Sequence, residues 1–272
     1  MHIACFSVAA LDFYPQQGQH YPGGNALNQA IRFAQMGHQA AFVGALGADM
    51  PGDQIEDLLR AEAVDVSHTC RLRGRTASNQ IVVDEKGERY GVEGAWRSGV
   101  YERFAPETSD WAFLDTFEVW ATHADGPLYA EALARKRAEQ WMAVDFLHLL
   151  DHGLLARSLA VIDVAYIGGT PDMAEELTGI VRASPRGIVV LTLGAEGSIA
   201  FTRDAVHTQE ALPVETVIDT TGCGDAFQAG FTARYLRTKD VPASLRAGAE
   251  LGRAAAQHYG GTRWHRNRMF HP

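Results

Sequence analysis

One segment of this chain is more informative than the rest: Asp219-Thr220-Thr221-Gly222-Cys223-Gly224-Asp225-Ala226-Phe227. Apolar residues follow at helical intervals as far as Leu236, so the segment predicts a glycine-containing turn that leads into a helix. The first N–H groups of a helix are unpaired, and the positive end of its dipole favours anionic oxygens. Gly222, Cys223 and Gly224 are therefore candidates for an anion hole that binds phosphate through backbone N–H groups.

Asp225 directly follows this glycine turn. A carboxylate at this point can accept the proton of an attacking hydroxyl while the neighbouring N–H groups bind the transferring phosphoryl group. An aspartate that merely stabilises the start of the helix accounts equally well for an isolated Gly-x-Gly-Asp. The rest of the sequence has to decide between the catalytic and the capping interpretation.

Three further motifs accompany this segment: Gly23-Gly24-Asn25 followed by Asn28, then Gly47, Asp49 and Gly52, and finally Thr192-Leu193-Gly194-Ala195-Glu196-Gly197. With the segment 219–227 they resemble the motifs of the ribokinase-like (PfkB) carbohydrate kinase family. The resemblance covers nearly the entire chain, from the opening strand and Asp12 to the helices after Asp225. It favours the catalytic interpretation, in which Asp225 is the base.

The order of the predicted elements agrees with the fold that this resemblance implies. Apolar strands alternate with amphipathic helices, as in a parallel sheet covered by crossover helices. Short β-like runs on either side of Asp84-Glu85-Lys86-Gly87 interrupt this alternation and predict a small antiparallel lid. We expect one α/β domain over residues 1–272, with a three-layer α/β/α arrangement, a mostly parallel central sheet, and a β lid from roughly 10–22 and 69–98.

The resemblance also implies an ATP-dependent kinase and assigns roles to individual residues. Substrate binding is expected from Asp12, Gly23, Gly24, Asn25, Asn28 and Arg89. Nucleotide binding is expected from Thr192, Gly194, Gly197, Thr220, Gly222 and Gly224. Carboxylate and amide groups suit sugar hydroxyls because they supply acceptors and, for asparagine, donors as well. Each assignment has a structural alternative: a turn carboxylate for Asp12, helix-cap amides for Asn25 and Asn28, a solvated strand charge for Arg89, and a plain strand-to-hairpin connection for the turn 192–197.

The chain departs from the family pattern in three places. Mg²⁺ is expected at the phosphates, yet the family's Asn-x-x-Glu element is not evident in the segment 168–176, where Glu175 or Glu176 could act through water or be ordinary solvent-facing charges. A monovalent cation requirement stays open. Cys223 replaces an alanine and should contribute only its N–H. Val8-Ala9-Ala10 replaces the usual Gly-Asp pair before Asp12, which puts ordinary sugar recognition in doubt.

Within the family, two segments most resemble fructoselysine 6-kinases: Leu11-Asp12-Phe13-Tyr14-Pro15-Gln16 and Gly23-Gly24-Asn25-Ala26-Leu27-Asn28. Kinases of this subgroup phosphorylate the C6 hydroxyl of a sugar joined to an amino acid. A PfkB kinase for another sugar, a sugar acid or a nucleoside is the alternative. A noncatalytic regulator that binds a sugar or a nucleotide is the alternative from a different class.

Composition limits the partners of this chain. A formal net charge of −9 argues against a general nucleic-acid surface, which needs concentrated positive charge. Three cysteines without metal-site or disulfide spacing indicate reduced thiols, and no segment predicts a signal peptide or a membrane span. We therefore expect a cytoplasmic protein that binds a small molecule, and the edges of the lid sheet could pair with a second copy as a homodimer.

Overall fold

Two β-sheets organise the part of the chain that the computed structural model describes, residues 1–148 and 151–263. The strands are β1 His2–Phe6, β2 Ala10–Tyr14, β3 Gln19–Gly23, β4 Gln39–Gly47, β5 Thr69–Leu72, β6 Ala77–Val83, β7 Arg89–Gly91, β8 Val119–His123, β9 Trp141–Asp145, β10 Val164–Gly168, β11 Ile188–Thr192, β12 Ser198–Phe201 and β13 Val206–Gln209. The main sheet has the order β13-β12-β11-β10-β9-β8-β1-β4-β5. Neighbouring strands pair in parallel except at β12, which runs antiparallel to both β11 and β13 and forms a late hairpin with β13.

Helices cover both faces of the main sheet. They are α1 Asn25–Gln35, α2 Met50–Ala61, α3 Thr108–Leu114, α4 Tyr129–Arg135, α5 His152–Ser158, α6 Ala174–Ala183, α7 Cys223–Thr238 and α8 Val241–Ala255. Apolar residues of α1, α2, α7 and α8 pack on one face, and those of α3 to α6 pack on the other. Alternate side chains of each strand enter the two cores, as the two-residue period of a strand requires. The predicted three-layer α/β/α fold with a mostly parallel sheet is confirmed.

The second sheet has the order β3-β2-β6-β7 and forms the lid. It corrects the prediction in two respects. The lid is mixed rather than antiparallel, because β2 and β6 leave the main body in the same direction and pair in parallel. The predicted lid segment 69–98 also begins too early. Its first strand, β5, pairs with β4 from Gly44↔Thr69 to Gly47↔Leu72 and so belongs to the main sheet.

The motif Gly47, Asp49 and Gly52 fixes the chain where it turns from the main sheet toward the lid. The Asp49 side chain accepts hydrogen bonds from the N–H of Gly52 at 3.0 Å and from the N–H of Thr76 at 2.8 Å. It thus caps α2 and also holds the residue that precedes β6.

Among the described residues, none of the helices has the length and apolar character needed to cross a membrane.

Close packing of α7 against α8 leads to a stability prediction. A Cβ atom at Gly230 would lie 2.7 Å from the carbonyl oxygen of Ala247, whereas one at Gly179 on α6 would meet nothing within 4 Å. We expect Gly230→Ala to lower the Tm by roughly 2–6 °C, because the added methyl overpacks the helix contact by about 1–2 kcal/mol. Gly179→Ala, the matched control, should stabilise by about 0.5–1 kcal/mol. Calorimetry of the two variants measures whether Tm falls for Gly230→Ala and rises for Gly179→Ala. A Gly230→Ala variant as stable as the wild type would contradict the close packing.

Candidate active site

Three elements meet at the candidate active site: the first turns of α1 and α7 and the carboxyl end of β9. Asn25 begins α1, Asp225 lies in the first turn of α7, and Asp145 is the last residue of β9. The Nδ2 atom of Asn25 donates to both aspartates, which joins the three elements directly. This edge of an open parallel sheet is where α/β proteins usually bind ligands.

Asp225 is held by two amides from one face of α1. Asn25 donates to its Oδ1 at 2.8 Å, and Asn28 donates to its Oδ2 at 2.7 Å. Burial raises the pKa of Asp225 to about 7; the bond from Asn28 lowers the pKa, while the negative charge of Asp145 raises it. A carboxyl group with a pKa near neutrality suits proton transfer at physiological pH. The geometry therefore supports the catalytic interpretation over simple capping.

The two asparagines are oriented by the carboxylate that they contact. An ionised carboxylate only accepts hydrogen bonds, so each amide has to turn its NH₂ group toward Asp225. The carbonyl oxygens, Oδ1 of Asn25 and Oδ1 of Asn28, are buried and have no hydrogen-bond partner among the described residues. Two acceptors thus stand ready beside the Asp225 carboxylate, and substrate hydroxyls could satisfy them.

The start of α7 is the candidate anion hole. Gly222 precedes the helix with a φ of +76°, and a Cβ atom there would lie 2.5 Å from the Cα of Gly261. The N–H of Cys223 donates to the carbonyl of Thr220 at 3.2 Å. The N–H groups of Gly224 and Asp225 donate to no acceptor within the described residues. These two groups, rather than the N–H of Cys223, are free to bind an anion.

The Cys223 side chain has no chemical role in this geometry. Burial raises the pKa of its thiol to about 12, so it stays neutral at physiological pH. A nucleophilic cysteine needs a lowered pKa and a basic partner. The expectation that Cys223 supplies an N–H group to the anion hole is wrong, because that N–H is used within the turn by the carbonyl of Thr220.

Asp219 anchors the chain before the anion hole. It is fully buried and accepts hydrogen bonds from the N–H of Thr221 at 2.8 Å, the N–H of Gly260 at 2.8 Å and the hydroxyl of Tyr14 at 2.7 Å. The Tyr14 hydroxyl also lies 2.9 Å from that of Thr221. Tyr14 belongs to β2, so this carboxylate connects the lid to the glycine turn. No local sequence pattern gave Tyr14 or Asp219 a role of its own.

The lid supplies Asp12 and Arg89. Asp12 is buried, and burial raises its pKa to about 6, while the charge of Arg89 opposes that rise. A Cβ atom at Gly23 would lie 2.1 Å from Oδ2 of Asp12, so the glycine leaves room for the carboxylate. The Arg89 charge also lowers the pKa of Asp145 and of Asp225. The charge of Arg89 therefore acts on all three carboxyl groups, those of Asp12, Asp145 and Asp225.

The tip of the lid binds Thr220. The N–H of Thr220 donates to the carbonyl of Gly87 at 2.9 Å, and its hydroxyl accepts from the N–H of Arg89 at 3.0 Å and contacts Glu88 at 3.2 Å. A Cβ atom at Gly87 would lie 2.6 Å from the side chain of Val217. Thr220, expected to contact nucleotide, thus has its N–H and hydroxyl engaged by the lid.

The turn after β11 carries the other predicted nucleotide residues. Gly194 begins a short 3₁₀ turn with open space around its Cα, and Gly197 ends it against the carbonyl of Gln209. The Thr192 hydroxyl donates to the carbonyl of Ile167 at 3.3 Å. No hydrogen bond in the described residues joins this turn to the Asp225 group. It lies at the same edge of the sheet because β11 runs parallel to β10 and β9.

The structure gives only weak support for a metal site made by protein groups. Glu175 and Glu176 are exposed at the start of α6, and Glu176 pairs with His152. Among the described residues, no group of three or more histidine, cysteine or acidic side chains is placed to hold a metal. Magnesium bound to nucleotide needs only one or two carboxylates besides the phosphates and water. The exposed glutamates suit water-mediated contact and equally suit a solvated helix face.

A polar cluster at the ends of β1 and β8 was also missed from the sequence. The Tyr101 hydroxyl lies 3.0 Å from Nε2 of His123 and 3.3 Å from the hydroxyl of Ser7. Burial lowers the pKa of His123 to about 4, so the ring is neutral, and its Nδ1 has no partner in the described part of the chain. His123 pairs in register with Asp145 of β9. Ser7 and His123 could have been noticed because each lies at the end of an apolar strand, whereas Tyr101 lies in a short 3₁₀ helix and gave no such signal.

Comparison with known proteins identifies the family. Residues 4–143 and 166–266 match the family described as pfkB family carbohydrate kinase. This chain belongs to that family. It is similar to fructosamine kinase FrlD of Bacillus subtilis (strain 168), with 27% identity over 96% of this chain and 92% of the relative. It is also similar to fructoselysine 6-kinase of Escherichia coli (strain K12), with 30% identity over 95% of this chain and 98% of the relative.

Solved structures agree with the fold. A probable sugar kinase from Rhizobium etli CFN 42 matches with a TM-score of 0.82 at 19% identity, over 96% of this chain and 94% of that chain. Arabidopsis thaliana ribokinase, solved with ribose and ATP, matches with a TM-score of 0.79 at 20% identity, over 95% and 93%. The chain thus has the ribokinase fold. As a pfkB family member, it is an ATP-dependent sugar kinase.

Proposed function

We propose that this kinase phosphorylates the C6 hydroxyl of fructoselysine and that Asp225 is the catalytic base. One observation carries the proposal: Asp225 is held by Asn25 and Asn28 beside the free N–H groups at the start of α7. A candidate base and a candidate anion-binding site thus lie next to each other, and the two amides that hold the base each carry a buried carbonyl oxygen with no partner among the described residues. This arrangement suits the transfer of a phosphoryl group to a hydroxyl.

The chemical step follows from these positions. The substrate hydroxyl oxygen forms a bond to the terminal phosphorus of ATP, and the bond from that phosphorus to the bridging oxygen of ADP breaks. Asp225 accepts the hydroxyl proton, and the N–H groups of Gly224 and Asp225 stabilise the charge on the transferring group. Mg²⁺, where bound, would neutralise phosphate charge, with Glu175 the available carboxylate for contact through water. Most of the rate enhancement comes from positioning and from preorganised dipoles.

The substrate is proposed from the chemistry of the site and from the two relatives. The site offers carboxylate and amide acceptors for sugar hydroxyls from Asp12, Asn25 and Asn28, and Arg89 adds a positive charge. The relatives named fructosamine kinase and fructoselysine 6-kinase match over nearly their whole length. Arg89 is suited to the carboxylate of an amino acid attached to the sugar.

The proposal includes a homodimer formed through the lid. Tyr90, Val92 and Trp96 are exposed large apolar residues with 54%, 36% and 42% of their surface accessible. They lie on or just after β7, at the edge of the lid sheet, where a second chain could cover them. We expect sedimentation velocity to show a dimer of the wild-type chain and a shift toward monomer in Trp96→Glu. A wild-type chain that sediments as a monomer at micromolar concentration would contradict this.

The catalytic role of Asp225 is tested against the capping alternative. Asp225→Asn should keep its fold and its ATP affinity but lower kcat by about 100- to 10,000-fold, because the general base is lost. Asp240→Asn is the matched control: Asp240 caps α8 through the N–H of Ala243, and asparagine caps equally well. Near-normal turnover by Asp225→Asn would refute the base assignment.

Substrate identity is tested in the same assay. Magnesium-dependent ATP consumption should be selective for fructoselysine over other glycated amino acids, fructose, ribose, keto-deoxy sugar acids and nucleosides. Selective turnover of another compound replaces the substrate and keeps the kinase. Binding without turnover across the panel favours a noncatalytic sugar- or nucleotide-binding regulator.

The raised pKa of Asp225 predicts an unusual pH profile. The base has to be ionised, so kcat/KM should rise with pH through a pKa of about 7. An unperturbed aspartate would place this rise near pH 4. Asp12, with a pKa of about 6, should steepen the fall at lower pH. A profile measured at constant ionic strength that is flat between pH 5 and 8 would contradict the prediction.

A further inference from the structure

Asn25 joins two aspartates through a single amide nitrogen. Its Nδ2 lies 2.8 Å from Oδ1 of Asp225 and 3.0 Å from Oδ2 of Asp145. An amide nitrogen has two protons, and each is used by one carboxylate. The rotation of the Asn25 side chain is therefore fixed from two sides, and its carbonyl oxygen is forced into the position where it has no protein partner.

Asp145 is itself held firmly. It is 7% exposed, and its Oδ1 accepts a hydrogen bond from the N–H of Leu147 at 2.8 Å. Interaction with the Gln228 side chain lowers the pKa of Asp145, and that side chain accepts a 2.8 Å hydrogen bond from Gln29. Asp145 ends a strand in the middle of the main sheet. It is thus a rigid reference point to which the amide of Asn25 is bonded.

We propose that Asp145 is a positioning residue for phosphoryl transfer: through the bridging amide of Asn25, it fixes the Asp225 carboxylate and directs the Asn25 carbonyl toward the substrate hydroxyls. This inference rests on the proposed function and adds a residue to it. Without Asp145, one amide proton would lose its acceptor, and the Asn25 side chain would be free to rotate. The cost would fall on kcat, because the alignment of base and hydroxyl determines the rate of the chemical step.

Asp145 also acts on Asp225 by charge. Its negative charge raises the pKa of the base, as expected for two carboxylates that share one amide. Several other groups influence the pair. Asp225 interacts electrostatically with Arg89, Arg32, Cys5 and Cys223. Asp145 interacts in the same way with Arg89, His148 and Tyr166. Removal of Asp145 should therefore lower the pKa of Asp225, whereas a general loss of stability should leave that pKa unchanged.

The test compares Asp145→Ala with a control of equal burial. Asp163 is also 7% exposed but lies at the opposite edge of the sheet, where it accepts from the N–H of Met142 and pairs with Lys136. We expect Asp145→Ala to lower kcat roughly ten-fold and to move the acid limb of kcat/KM to lower pH by roughly one unit. Asp163→Ala should lower the Tm and leave the position of the acid limb unchanged.

A second variant keeps the test decisive if Asp145→Ala folds poorly. Asn25→Ala removes a donor that lowers the pKa of Asp225, so its acid limb should move to higher pH, opposite to that of Asp145→Ala. In a double-mutant cycle, Asp145→Ala should add no further loss of kcat once Asn25 is alanine. If the two substitutions instead lower kcat independently, so that their effects multiply, the role of Asp145 is overturned. The same holds if Asp145→Ala keeps the wild-type kcat and acid limb while Asp225→Asn is inactive, and in both cases the base assignment stands. Near-normal turnover by Asp225→Asn would overturn both proposals.

Discussion

The hydrogen bonds from α1 to Asp225 are the contacts on which the rest of the site depends. Asn25 and Asn28 lie on one face of α1 and hold both oxygens of a carboxylate that is about 200 residues away in the chain. Helices α1 and α7 pack on the same face of the main sheet, so the fold brings the first turns of these two helices together. A buried carboxylate needs such donors, because an unsatisfied charge in this environment would cost several kcal/mol.

The candidate site combines residues from the rigid main body with residues from the lid. Parallel strands and the N-termini of α1 and α7 supply Asp145, Asn25 and Asp225, which are fixed by mutual hydrogen bonds. The lid supplies Asp12 and Arg89, whose opposite charges act on each other and on the base. In the proposed function, the main body thus carries the chemistry, and an element built from a separate sheet shares in recognition of the sugar.

The architecture and the residues at the centre of the candidate site could both be proposed from the sequence, because both have local signals. Apolar strands alternate with helices along the chain, and glycine turns mark Asn25 and Asp225. The lid strands had a clear β pattern, but the pattern of β5 could not reveal that it pairs with β4 rather than with the lid. The seven-residue helices α3 and α5 have too few turns to show a period. Asp145 was missed because its importance comes from an amide 120 residues earlier.

The contact between the lid tip and Thr220 has a consequence for the timing of turnover. Three hydrogen bonds connect Thr220 to Gly87, Glu88 and Arg89, and Thr220 lies two residues before the turn that begins α7. Any separation of the lid tip from this loop has to break all three hydrogen bonds. Opening of the lid and displacement of the loop before α7 are therefore mechanically coupled, so a lid movement in each turnover would also move the chain that leads to the N–H groups of Gly224 and Asp225.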